Sequence, residues 1–187
     1  MRELSEACGV RPFTIQHHFG SKLQLYQAVL SRWDDEVTAR VREVLALRAD
    51  FATTVERIVE ALFDFFLTRR SWVALSMRAT LGEGLEKGIT LREQSWVRFI
   101  DESVRAGRFG ALEHDLGLLL ISVEGILHHH ILSTAHYHRL YGGDLSDPAI
   151  RERAKRHLKT AIVALVEGGR PRPALRRDAR PSAIAPS

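Results

Sequence analysis

Between residues 21 and 45 apolar side chains return every three or four positions: Tyr26, Val29, Leu30, Trp33, Val37, Val41, Val44 and Leu45. That is one face of a single helix sustained over more than six turns. Ser21 and Gln24 stand at its start as an S-x-x-Q capping box, in which side chain and backbone satisfy each other's free groups. A helix of this length does not close into a compact three-helix unit. It must reach out and join one part of the chain to another.

The rest of the sequence reads as helix as well. Only Pro12 and Pro148 precede the last stretch, which carries Pro171, Pro173, Pro181 and Pro186. A short helix is predicted over residues 2–8, stopped by Gly9, and a second over about 12–18, with Pro12 in its first turn and Gly20 behind it. Phe51, Val55, Ile58, Val59, Leu62, Phe63, Phe66 and Leu67 define another amphipathic helix, and residues 71–81 a shorter one. Gly82, Gly84 and Gly88 mark a connection, after which Thr90 and Glu93 form a second capping box for a helix running to about Arg105. One long helix is expected from about 113 to 140, apolar on more than one side. Asp147 caps the last, with Pro148 at its first position and a stripe of Ile150, Ala154, His157, Leu158, Ala161, Ile162, Leu165 and Val166. No alternating strand segment and no internal repeat is present.

Charge is informative chiefly by its location. Residues 169–187 carry Arg170, Arg172, Arg176, Arg177 and Arg180 against Asp178, which accounts for the whole formal excess of +4 in the 187-residue chain. The preceding body is balanced, so the net charge argues for no basic nucleic-acid face. The single cysteine, Cys8, rules out an internal disulfide framework and fits a reducing, cytoplasmic setting. No apolar run approaches the roughly 20 residues that span a bilayer, and the first residues lack the apolar centre of a secretory signal.

A functional motif lies in residues 2–22, RELSEACGVRPFTIQHHFGSK. Two short helices separated by Gly9-Val10-Arg11 give a helix-turn-helix pattern. Leu4, Ala7 and Cys8 are expected to face inward, Val10 to plug the turn, and Ile15 and Phe19 to anchor the second helix. Arg11, Phe13, Thr14, Gln16 and His17 are then left facing outward. Their chemistry suits a major groove, where Gln can pair with adenine, Arg with guanine and a Thr methyl can touch thymine. Helix N-termini and Lys22 can hold phosphate oxygens.

The wording of this segment, Leu4-Ser5-x-x-Cys8-Gly9-Val10, then Thr14-Ile15-Gln16-x-His18-Phe19-Gly20-Ser21-Lys22 and Leu25, resembles the TetR family of transcriptional regulators over about 24 residues. The resemblance implies an all-α chain in which a helix-turn-helix head is joined by a long helix to a helical ligand-binding and dimerisation domain. With it the sequence divides into 1–48 and 49–169, followed by a tail, 170–187, that its Arg/Pro-rich composition predicts to be disordered. It implies base or phosphate contacts from Arg11, Thr14, Gln16, His17, His18 and Lys22, with Arg2 also available on the preceding helix. Gln16 and His17 depart from the family, which more often has aromatic side chains there. The family also places a further helix before this segment. The expectation is that the start was assigned too far downstream, with a natural truncation as the alternative, and that Leu4, Ile15 and Phe19 are partly uncovered.

The same resemblance implies a cavity for a small-molecule effector among the middle helices, and Trp72, Met77, Trp96, Phe99 and His128 are its expected lining. The last two helices offer apolar surface on several sides, and a twofold partner bringing the same pair would complete a four-helix bundle. His128, His129, His130, His136 and His138 cluster there, with His114 upstream, but no pair has the i,i+3 or i,i+4 spacing of metal ligands on a helix. Glu124 and His128 do, yet two ligands are not a site. These histidines are expected to line a cavity or the dimer interface, with no metal and no cofactor. Glu83 and Glu86, and Asp34, Asp35 and Glu36, read as solvated faces, and no catalytic triad, phosphate loop or carboxylate pair stands out. The expectation is therefore a non-enzymatic, ligand-responsive repressor that binds operator DNA as a homodimer. A dimeric small-molecule-binding protein without DNA binding is the alternative, and a metal-dependent helical enzyme a more distant one.

Overall fold

The Ser21 hydroxyl accepts the Gln24 backbone N–H at 3.1 Å and the Gln24 side-chain carbonyl oxygen accepts the Ser21 N–H at 2.9 Å, completing the capping box. From there the computed structural model, which describes residues 2–81, 95–107 and 116–168, continues as an unbroken helix to Ala46. Gly20, just before it, has φ 75, and a side chain there would run into the Gln24 amide that makes the cap.

Among the described residues all regular structure is helical: α1 Arg2–Cys8, α2 Pro12–Phe19, α3 Lys22–Ala46, α4 Phe51–Thr68, α5 Arg70–Leu81, α6 Ser95–Arg105, α7 Leu116–Leu132, α8 Thr134–Tyr141 and α9 Pro148–Glu167. The stops and caps fall where the residues place them. Asp50 accepts from the Thr53 N–H at 3.1 Å, and Asp147 from the Ala149 N–H at 2.7 Å with Pro148 behind it. The expected single helix over 113–140 is corrected. It breaks at Ser133, whose φ −85 and ψ 44 are not helical, and resumes as α8. The Gly82–Gly88 connection, the Thr90/Glu93 cap, Glu83, Glu86, His114 and the tail lie outside the described residues.

The core sits where α3, α4, α7 and α9 meet. Val41, Val59, Phe63, Leu127, Ile131, Leu158 and Ile162 are each 2% exposed or less. The α3 and α4 stripes read from the sequence are the faces that are covered. Phe65 joins them: Trp33 stacks on Phe65 at 5.2 Å and on Phe66 at 5.1 Å, with Trp72 of α5 tilted against it at 5.7 Å. Lys155 of α9 is buried and its ammonium meets Asp64 of α4 at 2.8 Å, so the two helices share an ion pair as well as apolar surface. One member of the α9 stripe is corrected: His157 is exposed, whereas its neighbour Leu158 is fully buried.

The head is small. Within α1 and α2 only Ser5 and Ile15 are buried, and Ser5 donates its hydroxyl hydrogen to the Arg2 carbonyl at 2.7 Å. Leu4, Ala7 and Cys8 are exposed rather than inward, and Ser5 is instead the buried side chain of α1. Val10 does not fill the turn and is 41% exposed. Phe19 is half-buried and Leu4 39% exposed, as expected, whereas Ile15 is covered at 6%.

Candidate functional site

The candidate recognition surface is α2. Pro12 fixes its first turn and Arg11 stands immediately before it. Ile15 and Phe19, one turn apart, hold one side against the head, which turns the remaining side chains to solvent. Arg11, Thr14, Gln16, His17, His18 and Lys22 are all exposed, and α2 carries no acidic residue. Phe13, 75% exposed, stacks on His17 at 5.9 Å. Arg2 is exposed too, but its guanidinium reaches Glu6 on the same helix at 3.1 Å. An exposed pair of this kind is weak, and a phosphate could displace the carboxylate. The result is a solvent-facing helix flanked by Arg11 and Lys22, whose exposed Thr14, Gln16 and His17 bring chemistry that fits a major groove.

Tyr26 links this head to the body. One turn into α3, it donates its hydroxyl hydrogen to the Leu75 carbonyl of α5 at 3.2 Å. Trp72 lies one turn earlier on α5, against Trp33. The path from the aromatic core to the start of α3 is therefore short and made of packed helices.

The expected ligand-lining residues do not share one cavity. Trp72 and His128 belong together, since Phe66 presents its ring to His128 at 5.1 Å and to Trp33 at 5.1 Å. Met77 is half-buried on α5. Phe99 on α6 stands elsewhere, under the Arg42 guanidinium at 4.8 Å, in a cleft of about 640 Å³ with Leu45, Arg48 and Thr54. The Trp96 side chain is outside the described residues. His128 is 1% exposed, and neither ring nitrogen has a hydrogen-bond partner. Glu124, one turn before it, brings its carboxylate to 3.8 Å from Nδ1, too far for a hydrogen bond. Burial, with the Asp34 charge of α3 added, pushes the Glu124 carboxyl up to about 7, and burial holds His128 down to about 4. Asp34 and Glu36 are therefore not simply solvated: Asp34 faces Glu124 electrostatically, and Glu36 bridges Arg32 at 3.0 Å and Arg69 at 3.2 Å.

A second cavity, about 460 Å³, opens on the outer side of α7, α8 and α9. His129, His130, His136 and His157 line it with Tyr137, Tyr141 and Arg153. His130 Nδ1 hydrogen-bonds the Tyr137 hydroxyl at 2.7 Å. The His129 and His136 rings lie 5.8 Å apart, closer than the roughly 10 Å that seven residues of continuous helix would separate them along its axis. The break at Ser133 falls between them. Among the described residues no three His, Cys, Asp or Glu side chains are grouped to hold a metal. Arg153 and His157 do not stand out in the sequence as lining residues. Their spacing of four along α9 is the available signal.

With that geometry in place, the chain is similar to two curated regulators. It is 40% identical to the HTH-type transcriptional activator FasR of Mycolicibacterium smegmatis over 65 residues, 35% of this chain and 30% of that protein. It is 27% identical to the HTH-type transcriptional repressor KstR2 of Rhodococcus jostii over 75 residues, 40% of this chain and 37% of that protein. The matches thus span about a third of the length of either relative. No family model matches the chain. Among the described residues no helix is long and apolar enough to cross a membrane.

Buried His128 and half-buried Glu124 on α7 set a pH signature. His128 binds its proton less firmly folded than unfolded, so from pH 6.5 down to about 4 it costs stability as pH falls. Glu124 binds its proton more firmly folded than unfolded, so from 4.5 up to about 7 it costs stability as pH rises. The two slopes oppose each other over most of that interval. Glu124→Gln removes one of them. Between pH 8 and pH 4.5 the stability gap between wild type and this variant should widen in favour of wild type, by up to about 3 kcal/mol. Urea unfolding at a series of pH values reads this directly, and parallel profiles contradict it.

Proposed function

We propose that this chain regulates transcription by seating α2 of each protomer of a homodimer in the major groove of operator DNA. What carries the reading is the exposed, acid-free face of α2, with Arg11, Thr14, Gln16, His17, His18 and Lys22 together on a helix-turn-helix head. The similarity to two HTH-type transcriptional regulators, partial as its coverage is, points the same way. Residues 1–48 serve as head and connecting helix, and 49–169 as the ligand-binding and dimerisation domain.

The dimer is read from the outer face of α7, α8 and α9. Leu118, Ile121, Leu132, Leu140 and Tyr141 are 37–68% exposed along α7 and α8. Exposed apolar side chains in this number on two successive helices suit an interaction surface, and a second copy offering the same helices would cover them symmetrically. The His-lined cavity then lies at the contact between protomers. Two heads so held address half-sites about one helical turn of DNA apart. Occupancy of a promoter by such a dimer excludes other proteins, which is why we read the effect as repression.

A small-molecule effector fits the same arrangement. It acts by binding more tightly to a form of the dimer whose heads are wrongly spaced, with α5, Tyr26 and α3 as the mechanical link. The test is a gel shift of the full chain on the DNA upstream of its own reading frame. Salt-sensitive, sequence-selective retardation supports the reading. Retardation equal to that of random DNA, or none, contradicts it.

A further inference from the structure

We propose that the cavity between α7, α8 and α9 is an effector site for a small organic carboxylate, with Arg153 and His157 of α9 holding the acid group and the apolar body lying against Leu140, Tyr141 and Ile150. This names the ligand class for the response proposed above and rests on that reading for its consequence, not for binding itself.

The cavity is made by the break in the helix. α7 stops at Leu132 and α8 starts at Thr134, and the non-helical Ser133 between them brings the His136 ring to 5.8 Å from that of His129. α9 forms the third side, with the His157 ring 6.1 Å from that of His130. The volume, about 460 Å³, lies within the roughly 300–1,000 Å³ of small-molecule sites. Its open side is the face assigned above to the second copy, which would close over the ligand.

The wall selects an anion. Arg153 and four imidazoles line the cavity, and no Asp or Glu is among its lining residues. The Arg153 guanidinium lies over the Tyr141 ring at 5.0 Å, and among the described residues it has neither a hydrogen bond nor an ion pair. Its N–H donors form a planar fork that matches the two oxygens of a carboxylate. The His130 ring is fixed by its Nδ1 contact with the Tyr137 hydroxyl at 2.7 Å. Burial, then the charges of His157 and His129, hold its pKa below the usual imidazole value. An anion among these bases eases their mutual repulsion, and a cation adds to it. A metal ion would meet the same guanidinium, and no three described side chains are grouped to hold one.

The remaining wall calls for a body on that anion. Leu140, Ile150, Ala154 and the Tyr141 ring supply apolar surface, so a bare acid group would leave most of the volume unfilled. The site is also tied to the head. Thr134, next to Ser133, accepts a hydrogen bond from the Arg70 guanidinium at the start of α5. The Leu75 carbonyl of α5 in turn accepts from Tyr26 of α3. A ligand that resets α8 against α9 therefore pulls on α5 and on the helix that carries the head.

The probe is 2-naphthoate, titrated into the full chain by calorimetry, with 2-naphthamide and 2-naphthylmethylammonium as neutral and cationic counterparts. Saturable binding of the acid below about 1 mM is expected, at least about tenfold tighter than either counterpart. Arg153→Gln, at an exposed position, should remove that preference and bring the acid down to the affinity of the amide. His157→Gln should weaken acid binding severalfold. Arg156→Gln removes an exposed charge of the same helix outside the cavity, and should leave the affinity within about twofold of wild type. No saturation at millimolar naphthoate, equal binding of the amide or the ammonium, a folded Arg153→Gln variant that keeps the preference, or an Arg156→Gln loss as large as that of Arg153→Gln overturns the proposal. Uptake of zinc in place of naphthoate overturns it as well. Because the titration uses no DNA, operator binding without naphthoate binding overturns this inference alone, and naphthoate binding without operator binding overturns only the regulator reading.

Discussion

If the proposed dimer forms through α7 and α8, replacing Ile121 and Leu140 together by glutamate should leave a monomer that no longer holds operator DNA. Both side chains are about two-thirds exposed, at 67% and 68%, so the fold of a single chain does not depend on them. In an isologous contact each substitution occurs twice, and four carboxylates would be placed in one apolar interface. Each Ile or Leu removed from that interface forfeits about 1.5–3 kcal/mol of burial, and the uncompensated charges add more. A single head makes half of the base and phosphate contacts, so affinity for the full operator should fall at least about 100-fold, a loss of about 2.8 kcal/mol or more. Light scattering behind size exclusion, together with a gel shift, reads both effects. A variant that remains dimeric shows that the protomers meet elsewhere.

The largest loss of stability should come from Phe63→Ala. The Phe63 ring is fully buried on α4, in the cluster that joins α3, α7 and α9. Truncation removes its transfer energy and leaves a cavity that helices fixed by their own neighbours cannot close, which costs about 3–5 kcal/mol. Domains of this size are stable by about 5–15 kcal/mol, so the variant should unfold at markedly lower urea with an unchanged m-value. A loss under about 1 kcal/mol would mean that α4 is not at the centre of the body.

Helices with a strong stripe and a chemical cap are legible from residues alone. Ser21-x-x-Gln24 and Asp147-Pro148 mark the starts of α3 and α9 because capping is a local hydrogen bond that sequence spacing encodes directly. The break at Ser133 is not legible, since no glycine or proline marks it and apolar residues continue on both sides. In the head, burial of the small Ser5 hydroxyl leaves no hydrophobic signal, and polarity alone places Leu4 and Cys8 inward where the structure leaves them exposed.

The same contrast holds for the sites. The α2 surface follows from two anchors, Ile15 and Phe19, which determine what the other side chains of a short helix must face. The lining of a ligand site depends on which helices pack, and that is set by residues far apart in the chain. Trp72 and His128, 56 positions apart, are joined through Trp33 and Phe66, whereas Phe99 belongs to another cleft. The carboxylate pair is hidden for the same reason. Asp34 and Glu124 are 90 positions apart in the sequence, and the influence of the Asp34 charge on Glu124 is seen only in the folded chain.

The claim on which the functional account depends is that α2 reads duplex DNA. It is tested by fluorescence anisotropy of the full chain on labelled upstream DNA, comparing wild type with Thr14→Ala, Gln16→Ala and His17→Ala. All three positions are exposed, so melting temperatures should hold while operator affinity falls by about 1–3 kcal/mol for each side chain that reads a base edge. The account predicts that discrimination against random DNA shrinks in step. Operator affinity and selectivity unchanged in all three variants would contradict it.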